Sequence, residues 1–90
     1  MPASFEQVIT LAGDLHARPA GALSVAAARY SSVVSLTVGA SSVDAKSVLS
    51  VMALGATSGQ DVKVTAEGPD AEEAVAAIIA ILAEATPVGA

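Results

Sequence analysis

The 90-residue chain contains no cysteine and no tryptophan, one phenylalanine, one tyrosine, one histidine and only four basic residues. Each scarcity removes a class of explanation. Without cysteine there is no disulfide framework, thiolate zinc site or thiol nucleophile, and the composition suits a reducing compartment. Without large aromatics a core must be built from aliphatic side chains. Hydrophobic residues, mostly alanine and valine, still make up 53% of the chain, so that core should be thin and finely packed. Nine acidic residues against four basic ones give a formal net charge of −5, which argues against nucleic acid, whose phosphates demand cationic surface.

Long hydrophobic runs are missing too. The longest purely apolar stretch, Ala74 to Ala83, falls far short of the roughly 20 residues that span a bilayer, so no membrane insertion is expected. The opening MPASFEQV has no basic region followed by an apolar run, so it does not read as a signal peptide. A cytoplasmic protein is the expectation. At this length one domain covering residues 1–90 is expected, burying roughly 60 to 65% of its unfolded surface, with residues 85–90 as a frayed tail.

What is present is a regular alternation of short elements. Ser4 to Leu11 reads as a strand with Phe5, Gln7, Ile9 and Leu11 on one side. Pro19 to Tyr30 reads as a helix whose Leu23, Ala26, Ala27 and Tyr30 share one stripe, proline being tolerated in a first turn. Ser32 to Val38 alternates as a strand, with Val34, Leu36 and Val38 opposite Val33, Ser35 and Thr37. Gly39 to Ser41 predicts a hairpin turn into a short strand around Ser42 and Val43. Ser47 to Leu54 predicts a short helix, with serine as a preferred N-cap and Gly55 at its C-terminal stop. Asp61 to Glu67 alternates again as a strand. Gly68-Pro69 breaks it, and Asp70 with Glu73 forms a D-x-x-E capping box for a helix running to about Glu84. The stripe Val75, Ile78, Ile79 and Leu82 supplies that helix's core face. The resulting order, β-α-β-β-α-β-α, implies an α+β fold with a four-stranded mixed or antiparallel sheet and its helices on one face. Order alone leaves the strand pairing open.

The charges are unevenly placed. Arg18, Arg29 and Lys46 all lie by position 46, while six of the nine acidic residues fall between Asp61 and Glu84. An anion, if the function involves one, belongs to the first part of the chain. One histidine with scattered carboxylates gives no ligand spacing for a metal, and neither a G-x-x-x-x-G-K-[ST] nor a G-x-G-x-x-G nucleotide cradle is present. No converging Ser, His and carboxylate can be read, so the chain does not look like a stand-alone enzyme.

The single histidine stands in GDLHARPAG, residues 13–21, at the predicted start of the first helix. Unpaired N–H groups there carry about half a positive charge and favour anions. A neutral imidazole nitrogen at His16 is a nucleophile near neutral pH and can accept a phosphoryl group. Arg18 offers permanently charged planar donors to phosphoryl oxygens, and Pro19 fixes the backbone in the first turn. A lone histidine at a helix start is more often a cap or surface residue than a nucleophile, and the local motif alone lifts the second reading only modestly.

A second segment makes that lift large. LHARPA, residues 15–20, together with KSVLSVMALG, residues 46–55, closely resembles HPr, the histidine-containing phosphocarrier family of the phosphoenolpyruvate-dependent sugar phosphotransferase system. Element order and motif spacing match from Phe5 to Glu84. The resemblance implies an open-faced β-sandwich, with four antiparallel strands and three helices on one face. It implies that His16 takes a phosphoryl group on Nδ1 from enzyme I and passes it to the IIA unit of a sugar permease. Arg18 would stabilise that group, backbone N–H groups of Ala17 and Arg18 would bind it, and no cofactor would be needed. Ser47 matches a serine that an HPr kinase/phosphorylase modifies in some relatives, although its position alone also suits a plain helix cap. Ala20, Val48, Leu49 and Met52, with Arg29 and Lys46, would form the docking surface, leaning more on apolar contact than on charge. Val51 and Leu54 are expected in the core. The resemblance further implies a monomer, and it keeps open a signalling role through a transcriptional regulator, without sugar transport, as in the nitrogen-related branch.

The chain departs from the family pattern just before the histidine. Gly13 stands where a small polar residue is usual and Asp14 where glycine is usual. The orienting contact to the imidazole is thereby unassigned, and Asp14 is expected to point into solvent.

Overall fold

The computed structural model describes residues 3–15 and 17–84. Its elements follow the expected order: β1 (Ala3–Thr10), α1 (Ala17–Ala28), β2 (Val33–Val38), β3 (Ser41–Asp44), α2 (Val48–Leu54), β4 (Asp61–Gly68) and α3 (Ala71–Glu84). The four strands form one sheet in the order β1-β4-β2-β3, and every neighbouring pair is antiparallel. The fold is the open-faced α+β sandwich. The frayed tail expected at 85–90 lies outside the described residues.

The two-residue period of the strands sorts the sheet into a covered and an open face. Val62, Val64 and Ala66 of β4 pair with Ile9, Gln7 and Phe5 of β1, and Ala66 and Val64 also pair with Val34 and Leu36 of β2. The β4 and β2 members of this set are fully buried, together with Leu23, Val51, Val75 and Ile78 from the three helices. Each such aliphatic side chain removed from water contributes about 1.5 to 3 kcal/mol. On the other face Asp61, Lys63, Glu67 and Val33 are exposed. β1 lies at the edge, so even its inward-facing Phe5 and Gln7 remain exposed.

Two expectations are corrected. The first helix begins at Ala17 and ends at Ala28 rather than running from Pro19 to Tyr30. Proline fits anywhere in a first turn because those N–H groups have no partner in the helix, so Pro19 marks the turn and not its first residue. The box predicted for Asp70 and Glu73 gives way to a longer-range contact. Asp70 uses its carboxylate on the Ser31 and Ser32 N–H groups, each at 2.9 Å, and on the Ser32 hydroxyl. The backbone still enters α3 there, with the Ala74 N–H donating to the Asp70 carbonyl.

Candidate functional site

The approach to the single histidine is a short segment pegged at both ends. Leu11 and Leu15 are buried, Gly13 between them is buried, and Asp14 is exposed. This segment is laced to residues 56–60, which follow the C-terminal end of α2. The Leu11 N–H donates to the Gln60 carbonyl at 2.9 Å, and the Gly59 N–H to the Leu11 carbonyl at 2.8 Å. The Leu15 N–H donates to the Ala56 carbonyl at 3.0 Å. Asp14, expected to face solvent, is exposed yet engaged, because its Oδ1 accepts the Ser58 N–H at 2.8 Å. A short-range sequence reading has no signal for a partner 44 residues away.

His16 lies outside the described residues. The chain enters α1 at the next residue, and Ala17, Arg18, Pro19 and Ala20 form the first turn. Proline has no N–H, so among the described residues of this turn the donors without an intrahelical partner belong to Ala17 and Arg18. They point out of the helix N-terminus, where partial positive charge gathers. The Arg18 side chain is exposed. A helix start with free N–H groups and a guanidinium on its first turn suits a dianionic group such as phosphoryl.

Ala20 does not belong to an exterior docking surface. Its methyl is fully buried, because α1 turns that side towards the core along with Leu23 and Ala27. Arg29 is exposed in the turn after α1. Lys46 is exposed as well, but its Nζ donates to the Tyr30 carbonyl at 3.0 Å, tying the end of α1 to the entry of α2.

Ser47 is the N-cap of α2. Its backbone is extended, at φ −102° and ψ 106°, and its hydroxyl accepts the Ser50 N–H at 3.3 Å. Gly55 closes the helix in the left-handed conformation at φ 65°, where its N–H reaches the Met52 carbonyl. Between these caps the helix divides as its apolar sequence requires. Val51 is fully buried and Leu54 packs partly against the core, whereas Val48, Leu49 and Met52 are 38%, 77% and 45% exposed. Val25, at 60% exposure, adds apolar surface on α1, and its place opposite the stripe of Leu23, Ala26 and Ala27 is the signal that would have found it. α1 packs against α2, so the first turn with Arg18 and the exposed side of α2 are carried by two touching helices.

These features agree with the known proteins that the chain resembles. The sequence profile described as "PTS HPr component phosphorylation site" matches residues 3–84. The Phosphocarrier protein HPr of Mycoplasma capricolum subsp. capricolum is 36% identical over 76 residues, covering 84% of this chain and 85% of that protein. The crystal structure of a Phosphocarrier protein HPr from Bacillus anthracis superposes with a TM-score of 0.82 at 32% identity, covering 89% of this chain and 98% of its own. HPr from Thermoanaerobacter tengcongensis gives a TM-score of 0.76 at 35% identity, over 89% and 90% of the two chains. With its sheet order and its capped second helix in place and LHARPA in its sequence, the chain belongs to the HPr family of phosphotransferase-system phosphocarriers.

Proposed function

We propose that His16 accepts a phosphoryl group from the phosphohistidine of enzyme I and passes it to a histidine on the IIA unit of a sugar permease. A lone pair on the His16 imidazole forms the new N–P bond while the donor's N–P bond breaks. The donor imidazole keeps that electron pair, and the second transfer repeats the exchange in the forward direction. Arg18 and the N–H groups of Ala17 and Arg18 hold the phosphoryl oxygens, and Val48, Leu49 and Met52 meet the partner. The relay works in the cytoplasm, with the chain as a monomer. The observation that carries this reading is the entry of the chain into α1 directly after position 16, with the Arg18 side chain exposed on the first turn.

Ser47 has a regulatory role in this proposal. A phosphoryl group on its hydroxyl adds close to two negative charges at the start of α2. The helix end tolerates that charge, but the addition falls beside the exposed Val48 and Leu49 that partners must cover. A kinase/phosphorylase is the modifying partner implied.

Incubation with phosphoenolpyruvate and a catalytic amount of enzyme I tests the relay. Mass addition of one acid-labile phosphoryl group, missing from His16→Ala, is the expected result. No addition to the unaltered chain overturns it.

A further inference from the structure

We propose that Asp14 is a positioning residue for the phosphoryl-accepting loop, acting through Ser58. The inference rests on the relay reading of His16. Ser58 clasps both flanks of Gly13: its hydroxyl donates to the Ala12 carbonyl at 3.1 Å, and its N–H donates to Asp14 Oδ1 at 2.8 Å. Glycine is the residue with the widest backbone freedom, and an unrestrained one three positions before a nucleophile would let that nucleophile wander. The clasp removes this freedom at its two exits. One residue further on, the Leu15 N–H is fixed to the Ala56 carbonyl, so Asp14 and Leu15 both grip the short segment from Ala56 to Ser58.

That segment begins directly after Gly55, the C-terminal cap of α2. The backbone at Asp14 and Leu15 is therefore tied to the same helix that presents Val48, Leu49 and Met52. Of the hydrogen bonds joining residues 11–15 to 56–60, the one from the Ser58 N–H to Asp14 alone has a side-chain carboxylate oxygen as its acceptor. Reactive groups lose rate steeply when they are misplaced by an ångström or less, so a loop bond can act on transfer without touching phosphate.

Single-turnover transfer from phosphorylated enzyme I, measured across carrier concentrations, tests this with Asp14→Ala and Asp14→Asn beside the unaltered chain. Loss of one such bond in Asp14→Ala is expected to lower the maximal rate about fivefold or more, with KM unchanged because the exposed side of α2 is untouched. Asp14→Asn keeps an oxygen acceptor for the Ser58 N–H and is expected to recover most of the lost rate. The Ser58 amide resonance reports the bond in each variant, and a thermal melt shows that each is folded. Transfer by Asp14→Ala at the unaltered rate, with the amide shifted, overturns the proposal. So does a change confined to KM, or an Asp14→Asn as slow as Asp14→Ala. An unaltered chain that takes no phosphoryl group defeats the relay reading and this inference together, a result distinct from equal transfer by all three proteins.

Discussion

The Ser32 hydroxyl donates a 2.5 Å hydrogen bond to Oδ1 of Asp70, joining the entry of β2 to the start of α3. The Ser31 and Ser32 N–H groups donate to the same carboxylate, each at 2.9 Å. The Ser32 hydroxyl, followed by the Ser31 N–H, holds the Asp70 carboxyl below its ordinary value.

A depressed carboxyl favours the folded state wherever it is ionised. Its stabilisation is in full force above the unfolded value, near pH 4, and is lost as pH falls through the folded value. Thermal melts between pH 6 and pH 2.5 are expected to show the unaltered chain losing Tm on acidification more steeply than Asp70→Asn. Parallel curves for the two proteins would remove Asp70 from the acid response.

Gly68 touches the same corner. At φ +148° it occupies a region that side chains rarely adopt, and a Cβ there would lie 2.6 Å from the Ser32 Oγ and 2.7 Å from the Ser32 Cα. Backbone strain and the clash together are expected to cost Gly68→Ala about 3 kcal/mol, read from urea unfolding. A loss under about 1 kcal/mol would mean that the corner opens easily.

Leu49 and Val51 stand two residues apart on α2 with opposite exposures, 77% against 0%. Val51→Ala is expected to lose about 2 kcal/mol of stability through the cavity it leaves. Leu49→Ala is expected to change stability by less than about 0.5 kcal/mol and to raise the KM for transfer from enzyme I. An unchanged KM for Leu49→Ala would place docking elsewhere.

Arg18 is exposed on the first turn of α1, so truncation has little packing to lose. Arg18→Ala is expected to melt within a few degrees of the unaltered chain and to transfer phosphoryl groups at least tenfold more slowly, the scale of a lost charge-assisted contact. A transfer rate equal to that of the unaltered chain would detach Arg18 from the phosphoryl group.

Ser47 gives two separable readouts. Ser47→Ala removes the acceptor for the Ser50 N–H and is expected to cost about 1 kcal/mol. Ser47→Asp restores a cap and places negative charge where the helix favours it, so stability should return. Its transfer from enzyme I is expected to be slow despite that recovery. Fast transfer by a stable Ser47→Asp would argue against regulation at this serine.

Local signals in the sequence were sufficient for most of this architecture. Alternation located β2 and β4, and Ser47 with Gly55 bracketed α2, because capping and pleating act over a few residues. The pairing of β4 with both β1 and β2 was not legible, since it joins residues far apart in the chain. The destinations of the Asp70 and Asp14 carboxylates were hidden for the same reason. Their partners Ser31, Ser32 and Ser58 arrive only when the chain has folded. Ala20 was misread because an alanine beside a functional motif carries no mark of burial in its identity, whereas the helical phase set by Leu23 and Ala27 decides it.

The sheet order β1-β4-β2-β3 also bears on how the protein folds. β4 is the last of the described strands in sequence and the one that joins β1 to the β2-β3 hairpin, with Ala3 pairing the distant Gly68. Until β4 is in place, β1 has no strand of this sheet to pair with. The native sheet therefore closes only when β4 takes its place between β1 and β2, a step dominated by long-range contacts.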